Sequence, residues 1–268
     1  MKMAVSAGSV GSDDGPRHHR RPFHRGIASA GPHPCRSRTR PGCRAHRGAG
    51  RHPRCAHGRR LRGRHHATIQ QLDGELIVFD GRAWSAAADG SIRELSPDTL
   101  TPFAVVTHFE ATVTAEITEP LALAELHTRI DQLSPGGSPV VAVRIDGEFR
   151  SLSLRSVEKQ SPPYLPLREV VAHQTEWAVP AAVGTLLGFR FPDATAGVEV
   201  PGYHLHFISR DRAHGGHVLD LAASSVNVAI DHEYQLKLVL PESSSFLNAD
   251  LSEDPRAALE QAESKKRP

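Results

Sequence analysis

The chain has 268 residues with 32 Lys and Arg against 30 Asp and Glu, and its formal net charge of +2 conceals two different polymers. Residues 1–66 hold 15 Arg and Lys2 against Asp13 and Asp14, a net +14, and the remaining 16 basic and 28 acidic residues give −12. No run approaches the roughly 18 apolar residues that a spanning helix needs, so no membrane-spanning helix is expected.

Within residues 1–66, Val5, Val10, Phe23, Ile27 and Leu61 are the only Val, Ile, Leu or Phe. A segment so poor in apolar groups cannot offset the entropy of ordering it, and it is expected to be disordered. It also carries nine of the 17 histidines and all three cysteines, Cys35, Cys43 and Cys55. An odd number of cysteines without C-x-x-C spacing indicates neither a disulfide framework nor a zinc knuckle. Three readings compete for this head. Its arginines could bind nucleic acid or an anionic surface. A targeting peptide would need a continuous apolar core or an amphipathic helix, and the head has neither. The third reading is a GC-rich gene translated out of frame, which yields this mixture of Arg, His, Pro, Ala, Gly and Cys. With no recognisable signal peptide, the expected location is cytoplasmic, and nucleic acid is not an expected partner.

From Ala67 onward about 200 residues remain, enough for one substantial domain or two small ones. Glu75–Phe79 reads as a strand, followed by turn chemistry at Asp89-Gly90. Phe103–Phe109 and Val140–Ile145 are short apolar runs rich in β-branched residues. Leu121–Leu133 places Leu123, Leu126, Ile130 and Leu133 at helical spacing and stops before Ser134-Pro135-Gly136-Gly137. Phe149–Val157 alternates, with Leu152 and Leu154 on one face and Ser151, Ser153 and Arg155 on the other. Ser161-Pro162-Pro163 is a rigid connection, and Leu167–Ala172 predicts a short helix. Strands are expected at Leu186–Phe191, Val198–Ser209, Val218–Leu221, Val226–Ile230 and Gln235–Leu240. A final helix is expected over Pro255–Ser264, with Pro in the favoured first turn. The fold class is therefore α+β and β-rich. Its expected division is a basic head over 1–66, an N-terminal sheet part over 67–160 and a metal-binding β part over 161–268.

The most informative stretch is Tyr203-His204-Leu205-His206, closed by Gly215-Gly216-His217. Residues two apart on a strand share a face, so His204 and His206 project together. A hairpin whose loop is Asp211–Gly216 returns His217 beside them. Three neutral imidazoles suit Zn²⁺ or another borderline divalent ion. The competing reading is a chance cluster in a histidine-rich chain, because H-x-H alone is a weak motif. His214, in the loop, is expected to face solvent.

The same segment resembles the zinc-binding stretch of the α-acetolactate decarboxylases. Leu72-Asp73-Gly74-Glu75, Thr101-Pro102-Phe103-Ala104-Val105, Arg144–Arg150, Gln160-Ser161-Pro162-Pro163-Tyr164 and Gly188-Phe189-Arg190 agree in order. The resemblance runs from about Thr68 to about Glu263 and stops abruptly upstream, which is what a frame error resolved near His66 would produce. It implies two packed β domains, one of them barrel-like, and a homodimer. It also implies decarboxylation of 2-acetolactate to acetoin and CO₂ through a metal-stabilised enediolate, a lyase step on the route to acetoin and butanediol. His204, His206 and His217 would hold Zn²⁺ or another divalent metal, and no organic cofactor is needed. Glu75 matches the family's proton-handling carboxylate, although by position alone it would be an exposed glutamate at a strand start. Arg155 matches an arginine that faces the substrate, and its rival reading is a solvated side chain on a polar face. Glu263 matches a carboxylate on a C-terminal helix that reaches back to the metal, with Glu260 as the alternative register. Thr68 aligns with a threonine near the site.

Two other classes compete. A cupin-type oxygenase also places H-x-H on a strand, but it usually follows the pair with a Glu, where this chain has Arg210 and Asp211. A family member made inactive by damage to its N-terminus is the non-enzyme reading.

Overall fold

The computed structural model describes residues 4–7, 64–136, 139–161, 164–165 and 167–239. The expected helix over Pro255–Ser264 lies outside them, as do Glu260, Glu263 and the greater part of the basic head.

Two sheets make up the fold. The first has seven strands: β1 (Ala4–Ala7), β2 (Arg64–Thr68), β3 (Glu75–Phe79), β4 (Arg82–Ala86), β5 (Ile92–Glu94), β6 (Phe103–Thr107) and β14 (Lys237–Val239), in the order β14-β1-β6-β2-β3-β4-β5. Its pairings are antiparallel except β1 with β6, which is parallel. The expected boundary at residue 66 therefore falls inside a strand. His65 to Thr68 pair with both β3 and β6, Arg64 pairs with β6 alone, and Ala4–Ala7 occupies the other edge of β6.

The second sheet holds β7 (Val113–Ile117), β8 (Leu121–Ala122), β9 (Val140–Ser156), β10 (Thr175–Val179), β11 (Ala182–Phe191), β12 (Gly202–Ser209) and β13 (Gly215–Glu233). It closes on itself. β9 pairs along one edge with β13 and along the other with β11 and then β10, while β11 pairs with β12 and β12 with β13. Closure of β9, β11, β12 and β13 leaves only the short β7, β8 and β10 paired on one side and encloses an apolar interior, built from residues such as Val143, Ile145, Phe149, Leu186, Phe207 and Val228. Helix α1 (Leu123–Leu133) buries Leu126 and Ile130 against this interior. A short helix, α2 (Leu167–Ala172), follows the β9 connection.

The two sheets do not part at residue 160. β7 to β9 share a sheet with the histidine-bearing strands β12 and β13, and β14 returns to the first sheet. The apolar runs Val140–Ile145 and Phe149–Val157 are one 17-residue strand, because Asp146-Gly147-Glu148 continues the pairing with both β11 and β13. Val218–Leu221 and Val226–Ile230 are likewise one strand, with register shifts between Val218 and Asp220 and again around Ala223 to bend it around the barrel. The strands β1, β2, β4, β5, β7, β8 and β10 were not expected from sequence; each is at most five residues long and carries few large apolar groups.

Candidate active site between the sheets

The site begins with strand register. His206 lies directly opposite His217, and on its other side His217 lies opposite Arg155. One face of β12, β13 and β9 thus carries a row of His206, His217 and Arg155, with His204 two residues along β12. The loop between β12 and β13 is only Arg210–His214, so Gly215 and Gly216 are strand residues, opposite Ile208 and Phe207. Glycine is needed there for contact. A Cβ on Gly215 would stand 2.7 Å from Ile92 Cδ1, and one on Gly216 would stand 2.9 Å from the Arg155 carbonyl oxygen. His214 is exposed, as expected.

The three imidazoles converge. His204 Nε2 stands 3.1 Å from His206 Nε2 and 3.2 Å from His217 Nδ1, and one nitrogen from each ring lies within 4.8 Å of the others. Ligands at about 2.0–2.1 Å in a tetrahedral zinc site would be about 3.3 Å apart, so this donor set fits such an ion. His206 Nδ1 lies 3.2 Å from the Leu76 carbonyl oxygen. A carbonyl only accepts, so Nδ1 carries the proton and Nε2 turns its lone pair toward the other rings. His206 and His217 are buried, and His204 is partly so.

The opposite sheet supplies the carboxylate. Glu75, the first residue of β3, is 7% exposed and Arg155 is 4% exposed, which overturns the solvated reading of both. Arg155 Nη1 donates to Glu75 Oε1 at 2.9 Å, and Glu75 Oε2 lies 3.4 Å from His206 Nε2. The carboxylate is therefore paired with the guanidinium and stands beside a ring nitrogen that faces the histidine centre. The turn before Glu75 is tight: Gln71, Leu72 and Gly74 all have positive φ, and a Cβ on Gly74 would stand 2.6 Å from the Ala86 carbonyl oxygen. Gln160 N donates to Gln71 O at 2.7 Å, and Ser156 Oγ donates to Ala86 O at 2.8 Å, fastening the end of β9 to this turn. Thr68 pairs opposite Glu75 in the first sheet.

Sequence reasoning could not supply the Leu76 carbonyl, because any residue presents one. It also missed the contacts of the hairpin tip, where Arg212 reaches Phe79 and Trp84 of the first sheet.

Burying this many ionisable groups together contributes little to stability, which makes the cluster a candidate functional site. Comparison with known proteins identifies the enzyme class. The family model described as alpha-acetolactate decarboxylase matches residues 66–253. An alpha-acetolactate decarboxylase from Methylococcus capsulatus is 39% identical over 196 residues, covering 73% of this chain and 75% of its own. One from Raoultella terrigena is 40% identical over 187 residues, 70% of this chain and 72% of its own. The crystal structure of the Bacillus subtilis alpha-acetolactate decarboxylase superposes with a TM-score of 0.72 at 33% identity, over 75% of this chain and 87% of that one. The chain belongs to the alpha-acetolactate decarboxylase family, and its class of reaction is that of a carboxy-lyase.

Proposed function

We propose that this protein decarboxylates 2-acetolactate to acetoin, with His204, His206 and His217 holding a divalent ion, Zn²⁺ by the nature of the donors. The carrying observation is the Glu75 carboxylate, held between Arg155 and His206 at the edge of three converging imidazoles. An ion held there by neutral ligands keeps its full charge and would act as a Lewis acid toward oxygens of the substrate.

The chain's own residues do the rest. Loss of CO₂ breaks a C–C bond whose electron pair moves into the adjacent ketone, and the carbon left behind must then take one proton. Glu75 is the group placed to deliver that proton, and it is recharged from solvent after each turnover. Arg155 fixes Glu75 through Oε1 and presents a planar cation to an anionic substrate. The surrounding Leu187, Ile77 and Ile208 keep the site dry, which strengthens each of these interactions. The implied homodimer is supported by the exposure of Tyr234, Leu236, Leu238 and Val239 at the β14 end of the first sheet. Among the described residues no helix is long and apolar enough to cross a membrane.

The test is incubation of the purified, zinc-loaded protein with 2-acetolactate under nitrogen, with acetoin and CO₂ measured together. Equimolar release of both is expected. Turnover that requires oxygen would instead support an oxygenase, and no acetoin from metal-loaded protein would overturn the proposal.

A further inference from the structure

Strand β3 turns Glu75, Ile77 and Phe79 toward the second sheet, and each meets the β12–β13 hairpin. Glu75 lies 3.4 Å from His206, Ile77 packs with Ile208, and Phe79 carries the Arg212 guanidinium 5.3 Å above its ring centre. Arg212 also lies 5.2 Å from the centre of the Trp84 ring on β4. Beyond it, Arg144 covers Phe79 at 5.0 Å and Arg82 covers Trp84 at 5.1 Å, so guanidinium groups and rings alternate. The outer two arginines are held by Asp146 and Glu94. Arg212 is tied to its own hairpin, its Nη1 donating to the Ser209 carbonyl at 2.8 Å.

The loop that carries Arg212 is stiff. Ser209 Oγ donates to Asp211 at 2.6 Å and accepts from the amides of Ala213 at 3.0 Å and His214 at 2.9 Å. Arg212 itself sits at φ 62, a left-handed conformation that non-glycine residues adopt only when their surroundings enforce it. Behind it, the missing Cβ of Gly215 lets the hairpin lie flush on Ile92 of β5.

We propose that Arg212 is a positioning residue for the decarboxylation assigned above, registering the sheet that carries Glu75 against the barrel that carries the histidines. The inference rests on that assignment. The three imidazoles all stand on one hairpin, and Arg155 is paired beside His217, so only Glu75 comes from the other sheet. Loosening the Arg212 contact displaces Glu75, while the histidines and Arg155 stay on their own strands and only the Leu76 carbonyl beside His206 moves with β3.

The experiment is Arg212→Ala and Arg212→Lys in the full chain, with metal affinity by chelator competition, thermal midpoint, and kcat and KM per metal-loaded molecule. Arg212→Ala is expected to lower kcat about 10-fold or more, since displacement of a reacting group by about 1 Å can cost 10²-fold. KM and metal affinity should stay within about 3-fold, and Arg212→Lys should recover most of kcat because it keeps a cation over the rings. Phe79→Leu, which removes the contact from the other side, should reproduce the split. A fall in thermal midpoint and metal retention with kcat unchanged would show a structural role only and overturn the proposal. Should the unaltered protein prove inactive on acetolactate, the assigned reaction fails, and the contact is judged by hydrogen exchange. Arg212→Ala must then speed exchange in Ile77–Trp84 of the first sheet, and unchanged exchange there refutes it.

Discussion

Strand β12 carries a polar cluster on each face, and each contains histidine. On one face His204 and His206 meet His217, Glu75 and Arg155. On the other, Tyr203 stacks on His127 of helix α1 with ring centres 3.9 Å apart, its hydroxyl donates to Asp131 at 2.7 Å, and Arg190 donates to the same carboxylate oxygen at 2.8 Å. Both clusters pair an arginine with an acid and bury imidazole nitrogen. They differ in where the nitrogens point. The first brings one nitrogen from each ring to one locus, while in the second His127 Nε2 is buried without a hydrogen-bond partner among the described residues. Convergence of donors, not burial or histidine content, separates a reacting centre from a polar packing feature.

The largest break in this contrast should come from the ligands. His206→Ala is expected to lower metal affinity by more than the about 10–100-fold typical of losing a supporting contact, and to abolish acetoin formation. Chelation of the unaltered protein should do the same, with recovery on adding Zn²⁺. Tyr203→Phe on the opposite face should leave both metal content and kcat unchanged and reduce stability by about 1 kcal/mol, the net worth of one hydrogen bond. Metal analysis of the two purified variants checks the pair.

Within the reacting face, Glu75→Gln keeps an acceptor for Arg155 but removes the transferable proton. Activity should fall by about 10²–10⁴-fold with metal retained, as assayed by acetoin formation on metal-loaded protein. Arg155→Lys keeps the charge and loses the planar fork, so a smaller loss, up to about 10²-fold, is expected from misplacement of Glu75 and the substrate. Normal turnover in either variant removes that residue from the mechanism.

How much of this could be read in the chain depends on how local the cause is. The shared face of His204 and His206 follows from strand parity alone, and the return of His217 needed only a short hairpin. Helix α1 was legible because Leu126 and Ile130 repeat at its period and Ser134-Pro135-Gly136 ends it. The Gly-Gly pair was read as loop because glycine usually marks turns. Here it serves close approach, to Ile92 and to the Arg155 carbonyl, and that approach exists only after the sheets pack. Glu75 and Arg155 looked solvent-facing for a similar reason. Each stands on a strand whose outward face becomes interior when the other sheet covers it. The sheets interleave across residue 160 because β9 is apolar enough to be shared by β10, β11 and β13, a closure that no single segment announces.

The last predicted effect, on stability and not on turnover, belongs to His127. Burial drives its pKa down from 6.5 to about 4, with Asp131 pulling weakly the other way. Because the folded value lies below the unfolded one, the unfolded chain binds the extra proton between these pH values. The stability linked to neutral His127 is therefore complete above about pH 6.5 and is lost as pH falls toward 4. The full shift would correspond to about 3 kcal/mol, which partial solvent access reduces to about 1–2 kcal/mol. Asp231 and Glu233 titrate in the opposite sense. Burial raises both, so the folded state holds their protons in preference and gains stability as pH falls. Subtracting the stability curve of His127→Phe, which preserves the stack on Tyr203 but cannot be protonated, cancels those carboxylates. The difference curve should slope between pH 6.5 and 4 and be flat above, with kcat equal in the two proteins at pH 7. A flat difference throughout would mean that His127 titrates as it does in water, and that the face behind the site is open rather than sealed by α1.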